Sequence, residues 1–232
     1  FSAYDFAIQN IGVKIIRVET IEELKDALGP KTAMIKLSGG NLVPGPMSLE
    51  VIATIAKPLN IPILADAAAE ILTIPNVHLQ NGATMVAYSG GKAICGPQCA
   101  GLLLGPKNIL MSAWQASSPH HGPGRDNKVG REETLGMLAA VETWVKMDHA
   151  AREKNWMNWV NAIAKRVSGI ESVKSTIREP EGINNRSASL SISWDPEKLH
   201  LSSAELIQEL ISSKPRITVG GGRSTDPGMA SI

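Results

Sequence analysis

The sequence predicts an α/β fold, with a mostly parallel sheet flanked by helices and a smaller α+β C-terminal domain. Two patterns support this prediction. In the first half of the chain, short β-branched and apolar runs alternate with helical segments, which is typical of right-handed βαβ units. After a loop rich in His, Gly and Pro at 117–130, one long helical pattern is followed by shorter strand and helix patterns.

The strands of the first half are predicted from their apolar, β-branched composition. They cover residues 12–18, 32–37, 61–65, 84–88 and 101–104. The helices between them begin at capping residues. Thr20 and Glu23 have the spacing of a capping box, which predicts a helix that ends near Gly29 and Pro30. Ser48 is the expected N-cap of a second helix that runs to about Pro58.

The second half of the chain shows a different pattern of predicted helices and strands. A helical pattern runs from about Arg131 to about Val167 with a bend or break. Strands are predicted at 172–178, 188–194 and 216–219, with a helix at 202–212. These patterns divide the chain into part of a large domain at 1–130, a long connecting helix region at 131–168, and part of a small α+β domain at 169–232.

Composition limits the classes of function. The chain has 232 residues, of which 43% are apolar and 19% charged, as is typical of globular proteins. Its net charge of +1 argues against a protein dedicated to DNA or RNA binding. No run approaches the roughly 20 apolar residues of a membrane span. The expected partners therefore include neither DNA nor a membrane.

Cys95 and Cys99 are the two cysteines, and so few cysteines favour a reducing compartment, which we take to be the cytoplasm. Their spacing lacks a nearby His or Cys pair, so we expect no metal site. The sequence starts within a predicted element and ends after a glycine-rich run. We therefore expect truncation at both ends.

Two charged residues follow predicted strands. Asp66, in ADAAAE, comes directly after the strand at 61–65, and Lys92, in SGGKAICGPQ, comes shortly after the strand at 84–88. The carboxyl ends of parallel strands form the edge at which open α/β sheets bind ligands. Each residue also has a plainer interpretation, since an Asp at a strand end often caps a turn and most loop lysines are solvated.

Together, this carboxylate and this amine meet the needs of one cofactor. Pyridoxal phosphate requires a lysine for its aldehyde and a carboxylate for its pyridinium nitrogen. The glycines Gly90 and Gly91 allow other groups to approach the backbone beside Lys92. Ala68 is small enough to lie against the face of the ring. We therefore predict that the chain binds pyridoxal 5′-phosphate.

Three strings in the sequence carry a family resemblance: DAAAE, SGGKAICGPQCAGLLLG and GRDNKVGREETLGMLAAVE. They resemble the family of selenocysteine synthase and D-glucosaminate-6-phosphate ammonia-lyase, which are fold-type I pyridoxal phosphate enzymes with the aspartate-aminotransferase architecture. The resemblance covers about residues 4–144 and, more loosely, 190–195. Gly-Gly before Lys92 is closer to the ammonia-lyase branch, since selenocysteine synthase is expected to have Gly-Asp there.

The resemblance implies roles for individual residues. Lys92 would form the Schiff base with the cofactor, and Asp66 would pair with the pyridine nitrogen. Ser89 and Gly90 would lie near the cofactor, and Gln98 would shape the lysine loop. The residues expected near an anionic substrate, or near a neighbouring subunit's active site, are His121, Arg125 and Lys128.

The expected function is elimination of ammonia and water from an amino-sugar acid or a β-hydroxy amino acid. One alternative is a selenium transferase acting on seryl-tRNA, in which case tRNA would be a partner. Another is a non-catalytic fold-type I scaffold or binding subunit. The presence of Lys92 and Asp66 argues against a scaffold, whereas the lack of a Gly/Ser/Thr-rich phosphate turn before Asp66 favours it. The resemblance also implies a homodimer or a larger homo-oligomer.

Overall fold

The structure is a computed structural model that describes residues 5–39, 42–222 and 228–232. The chain forms two compact units. The first contains the chain up to Met147 together with the returning segment Ile183–Asn185, and the second contains Asp148–Gly182 and the chain from Arg186 onward. The helical region expected to connect two domains is thus divided between the units at Met147.

The first unit contains a four-stranded sheet in the order β1-β2-β3-β4. Its strands are β1 (Ile35–Ser38), β2 (Ile63–Asp66), β3 (Met85–Ser89) and β4 (Gly101–Leu104). The first three strands run parallel, and β4 pairs antiparallel with β3. This arrangement confirms the predicted mostly parallel sheet.

The helices of the first unit lie between and after these strands. They are α1 (Asp5–Gln9), α2 (Ile21–Ala27), α3 (Leu49–Ala56), α4 (Val77–Gln80), α5 (Lys107–Gln115) and α6 (Arg131–Lys146). The Thr20–Glu23 capping box begins α2 as predicted. Ser48 caps α3 by accepting a hydrogen bond from the backbone N–H of Val51. A 3-10 turn at Lys57–Leu59 continues from the end of α3.

Alternation of side chains gives the parallel sheet two unlike faces. One face contributes Ile63, Ala65, Val86 and Tyr88 to the hydrophobic core. The side chains between them belong to the other face, where Leu64, Asp66, Ala87 and Ser89 are only half-buried. Asp66 therefore lies on the face opposite the core, where a ligand can reach it.

The second unit has a three-stranded antiparallel sheet in the order β5-β6-β7. Its elements are α7 (His149–Val167), β5 (Val173–Arg178), β6 (Ser189–Trp194), α8 (Pro196–Leu199), α9 (Ser203–Ser212) and β7 (Ala230–Ser231). Arg186 binds Glu153 of α7 through two hydrogen bonds of 2.6 and 2.8 Å. This ion pair lowers the pKa of the Glu153 carboxyl group, chiefly because Arg186 donates hydrogen bonds to it.

Two predicted strands are wrong. Residues 12–18 form no strand and are largely exposed. Within the described ranges β1 pairs only with β2, so residues 12–18 have no neighbouring strand with which to form a ladder. Residues 216–219 form no strand either, since the backbone N–H of Ile217 donates to the carbonyl of Leu210 and turns the chain back onto α9. β7 pairs with β6 instead.

No helix in the described ranges is both long enough and apolar enough to cross a membrane.

Candidate active site

Three parallel strands end together at one edge of the sheet. Ser38 at the end of β1 lies opposite Asp66 at the end of β2, and Asp66 lies opposite Ala87 of β3. β3 continues for two residues beyond Ala87 to Ser89, and the lysine loop follows. The structure thus brings Asp66, Ala68, Ser89 and Gly90 to the carboxyl edge, as the predicted topology required.

Both carboxylate oxygens of Asp66 have partners. Oδ1 accepts a hydrogen bond of 3.3 Å from the backbone N–H of Ala68. Oδ2 forms an ion pair of 3.0 Å with Nζ of Lys36, a residue of β1. About a third of each of the two charged side chains is exposed. A carboxylate has about four lone-pair sites, so Asp66 retains capacity for a further donor.

Lys36 was not identified from the sequence. It lies two residues before Ser38, which is the partner of Asp66 in the parallel register. Lys36 and Asp66 therefore project from the same face of adjacent strands. Finding this pair requires the register of β1 against β2, and the only signal in the sequence is a lysine inside an otherwise apolar strand.

The turn after Asp66 is closed by backbone hydrogen bonds. Ala67 donates to the carbonyl of Ala87 and extends the sheet ladder by one residue, and Glu70 donates to the carbonyl of Ala67, each at 2.9 Å. Ala68 lies at the bend of this turn and is half-buried. The turn therefore holds Asp66 and Ala68 at fixed places along the strand exit.

The lysine loop is built around Gly90. A methyl group at this position would lie 2.7 Å from the carbonyl oxygens of Ala100 and Pro97 and 2.8 Å from Sδ of Met137. Real side chains essentially never approach so closely, so only glycine fits here. The backbone N–H of Gly96 donates to the Gly90 carbonyl at 2.7 Å and returns the loop to its start.

Lys92 lies at the exposed part of this loop. Its backbone carbonyl accepts from the N–H of Cys95. Within the described part of the chain, its ammonium group has no hydrogen-bond or ion-pair partner. The side chain of Gln98 donates to the carbonyl of Gly91 at 3.3 Å and links the two arms of the loop. The backbone at Lys92 is thus fixed while its side chain remains available.

The three residues expected near a substrate lie on the loop at 117–130. The guanidinium of Arg125 donates to the hydroxyl of Ser118 at 2.6 Å, whereas His121 and Lys128 are exposed. Among the described residues, no hydrogen bond or ion pair connects these three side chains to Asp66 or Lys92. The structure therefore assembles the strand-end residues but does not join the loop residues to them.

Sequence analysis also missed a buried polar group behind the strand exits. Glu70 and His78 are 1% and 3% exposed, and Nε2 of His78 is hydrogen-bonded to Oε2 of Glu70. Nearby, Asn76 donates to the hydroxyl of Tyr88 at 2.8 Å. Burial raises the pKa of Tyr88; the bond from Asn76 opposes this shift, and the charge of Glu70 adds to it. Glu70 is part of the ADAAAE string, but its partner is visible only in the folded chain.

The residues present fit pyridoxal phosphate. The cofactor needs a carboxylate for its ring nitrogen and a primary amine for its aldehyde, and the carboxyl edge offers both from neighbouring strand exits. Asp66 has unused acceptor capacity, and the amine of Lys92 is not engaged by other described groups. Gly90 and Ala68 keep the backbone near these two residues free of bulky side chains.

A family comparison agrees with this chemistry. The aminotransferase class-V family matches residues 4–129, which is more than half of the chain. The chain belongs to the aminotransferase class-V family. Members of this fold-type I family typically use pyridoxal phosphate. The resemblance inferred from the motifs is therefore confirmed at the level of the family.

Two curated relatives are each 27% identical to the chain. One is a D-glucosaminate-6-phosphate ammonia lyase of Salmonella typhimurium, matched over 161 residues, which are 68% of this chain and 41% of the relative. The other is a 5′-C-glycyluridine monooxygenase-decarboxylase of a Streptomyces species, matched over 170 residues, which are 73% of this chain and 41% of the relative. The chain thus spans about two-fifths of the length of these relatives.

A solved structure supports the fold. The structure of a D-glucosaminate-6-phosphate ammonia-lyase superposes with a TM-score of 0.72 at 23% identity, covering 95% of this chain and 58% of the other. The fold-type I architecture predicted from the motifs is confirmed by this match.

Proposed function

We propose that the protein is a pyridoxal phosphate-dependent lyase that acts on an amino-sugar acid or another β-hydroxy amino acid. The observation that carries this proposal is the placement of Asp66 and the Lys92 loop on neighbouring exits of one parallel sheet. Membership of the aminotransferase class-V family and the likeness to an ammonia lyase support it. The products would be a 2-oxo-3-deoxy acid and ammonia.

Lys92 has two roles in this proposal. Its amine would hold the cofactor through the aldehyde group. When free, the same amine would remove the proton from the α-carbon of the substrate, and in its protonated form it would deliver that proton to the departing β-hydroxyl group. A lysine acts as a base only when it is neutral, and an exposed position allows Lys92 to exchange protons with water.

Asp66 keeps a proton on the ring nitrogen. When bound, pyridoxal phosphate supplies the electron sink for the charge left at the α-carbon. A carboxylate that is already oriented by the backbone N–H of Ala68 can meet the protonated nitrogen without reorganising, which is how fixed charges contribute most to catalysis.

Arg125 is the proposed contact for the anionic group of the substrate. Its planar fork can bind a carboxylate or phosphate through two hydrogen bonds. The bond to Ser118 engages one terminal nitrogen and orients the guanidinium while leaving other donors available. We assign His121 and Lys128 to the same role because both are exposed on this loop.

The first experiment is an absorbance titration of the protein with pyridoxal phosphate, followed by borohydride reduction and peptide mapping. We expect an absorbance band of the bound cofactor and a reduced adduct on Lys92. Lys92→Ala should abolish the adduct, while Lys107→Ala, at an exposed position of α5, should retain it. Ammonia release from 2-amino-3-hydroxy sugar acids then tests the reaction.

The outcomes separate the candidate functions. An adduct on Lys92 with ammonia release supports the lyase. Absence of an adduct, or an adduct at another lysine, contradicts the proposal and favours a non-catalytic member of the family. An adduct without ammonia release from any such acid contradicts the proposed substrate class and leaves the cofactor assignment standing.

A further inference from the structure

The buried pair of Glu70 and His78 has no part in the mechanism above. Glu70 lies at the end of the turn that carries Asp66, and His78 belongs to α4. Glu70 and His78 are the two residues with charge-bearing side chains that are buried within the described ranges. Such groups need a specific explanation because polar side chains are costly to bury.

Packing alone does not explain a carboxylate at this position. Oε2 of Glu70 is bound by His78, but Oε1 is buried and has no hydrogen-bond partner among the described residues. An unpaired buried acceptor reduces stability, and replacing a buried ion pair with apolar side chains is often neutral or stabilising. A Leu–Phe pair, for example, would fill comparable space without an unsatisfied oxygen.

The position of Oε1 indicates what the carboxylate does. A methyl group on Gly39 would lie 2.5 Å from Oε1 of Glu70 and 3.2 Å from the main-chain oxygen of Asp66. The carboxylate therefore packs against Gly39, which follows β1 and lies beside the main chain of Asp66 at the end of β2. These are the strands that carry Lys36 and Asp66, the two members of the exposed ion pair.

The turn between Asp66 and Glu70 is also held at its outer end. Ala69 accepts a hydrogen bond from the backbone N–H of Asn185, and Ile71 donates to the carbonyl of Ile183. These bonds fix the backbone after the turn, and the Glu70 side chain packs against Gly39 at its inner side. Displacement of the turn would carry Ala68 N–H with it, and that group orients Oδ1 of Asp66.

We propose that Glu70 and His78 are positioning residues, which hold the exits of β1 and β2 in register so that the Asp66 carboxylate is fixed for the ring nitrogen of the cofactor. This inference rests on the proposed function. It assigns the pair no contact with the cofactor or the substrate, so its effects pass entirely through Asp66.

A double-mutant cycle tests this dependence on Asp66. The variants are Glu70→Gln, Asp66→Ala and the double variant, and the measurement is the dissociation constant for pyridoxal phosphate from the absorbance titration. Glu70→Gln keeps the size of the side chain and a group that can bond to His78. We expect it to weaken binding about tenfold in the wild-type background and less than twofold in the Asp66→Ala background, as for residues that act through one another.

A control separates positioning from general loss of stability. Ile52→Val removes one methylene group from a fully buried core residue of α3, and such changes typically reduce stability without altering a distant site. Titrations are compared at a temperature at which both variants are fully folded. Cofactor affinity should stay at the wild-type level in Ile52→Val and fall in Glu70→Gln.

A second measurement needs no cofactor. The chain has two tyrosines, Tyr4 and Tyr88, so a Tyr4→Phe background isolates the titration of Tyr88 in tyrosinate absorbance. Because the charge of Glu70 contributes to the raised pKa of Tyr88, Glu70→Gln should lower that pKa. An unchanged titration would show that Glu70 does not act on Tyr88 as its place in the fold requires, and it would overturn the placement of Glu70 on which the inference rests.

The remaining outcomes are distinct. Equal losses of affinity in both backgrounds would show that Glu70 acts on packing rather than through Asp66, and no loss in either would remove its role; both overturn the inference. Failure of the proposed function has a different signature, since the wild-type protein would then give no reduced adduct on Lys92. That result would overturn the positioning role together with the function it rests on.

Discussion

Asp66 and Lys92 lie at the exits of neighbouring strands, but the fold constrains the side chain of one and the backbone of the other. At Asp66 the side chain itself is held, by Ala68 on one oxygen and Lys36 on the other. At Lys92 the backbone is held by the packing of Gly90 and by the link from Gln98, while the amine is left without a described partner.

This difference matches the proposed tasks. A group that stabilises a charge is most effective when it is already oriented. A group that binds a cofactor, leaves it and then carries a proton must move between partners. The short alanines after Asp66 allow a tight turn that fixes the carboxylate, and the glycines before Lys92 allow a fixed backbone below an exposed side chain that has no described partner.

Gly90→Ala is expected to have the largest effect, because it disrupts the close packing that fixes the backbone of the loop carrying Lys92. The added methyl group would meet two carbonyl oxygens at 2.7 Å, and backbone atoms cannot rotate away as a side chain can. Overpacking of this kind costs roughly 1–3 kcal/mol, occasionally more. We expect a loss at the upper end of this range in urea unfolding, and loss of the reduced adduct on Lys92.

Gly45→Ala is the matched control, since a methyl group there would have no atom of the described residues within 4 Å apart from its own neighbours in the chain. It should leave both the free energy of unfolding and the adduct nearly unchanged. If Gly90→Ala were as stable as Gly45→Ala and still formed the adduct, the lysine loop would not depend on the packing of Gly90.

Asp66→Asn removes the charge of the side chain that the fold holds in place, with little change in its shape. A hydrogen bond to a charged group contributes about 1.5–3 kcal/mol, so the dissociation constant for pyridoxal phosphate should rise roughly 10- to 100-fold. At saturating cofactor the adduct on Lys92 should still form, because the lysine loop is untouched. Asp26→Asn, on the exposed side of α2, should bind the cofactor as the wild type does. Loss of the adduct at saturation would show that the two exits are not independent.

The sequence was informative where local chemistry decides structure. Capping residues predicted the starts of α2 and α3, and apolar runs located all four strands of the first sheet to within three residues at each end. Once those strands were known, topology alone placed Asp66 and the Lys92 loop at one edge. No distant contact was needed for these predictions.

Other features depend on partners that are remote along the chain. Residues 12–18 have strand composition, but a strand also needs a neighbour with which to form a ladder. The contact of Lys36 with Asp66 can be recognised only from the register of β1 against β2, and the role of Glu70 only from its burial against His78. Register and burial are properties of the packed sheet, so one sequence does not reveal them.

Lys36→Met is expected to have the smallest effect, and it distinguishes two roles of Lys36. The ammonium group of Lys36 either competes with the cofactor for the Asp66 carboxylate or helps to orient that carboxylate. Both side chains of this ion pair are about one-third exposed, and solvent screening limits such pairs to about 0–1 kcal/mol. The free energy of unfolding should therefore change little. Cofactor binding should respond more clearly, since the ammonium of Lys36 repels the protonated ring nitrogen that Asp66 is proposed to hold. We expect Lys36→Met to bind pyridoxal phosphate up to about fivefold more tightly, the factor that corresponds to 1 kcal/mol.

The difference between Lys36→Met and the wild type should shrink at high salt, because exposed charges are screened. Lys36→Arg keeps the charge and should behave as the wild type does, and so should Lys31→Met at an exposed position before β1. Weaker binding by Lys36→Met would reverse the interpretation, because Lys36 would then act with Ala68 to orient the carboxylate. In that case the contrast between the two exits would become sharper still, since every contact of Asp66 would serve to fix it while the amine of Lys92 stays free.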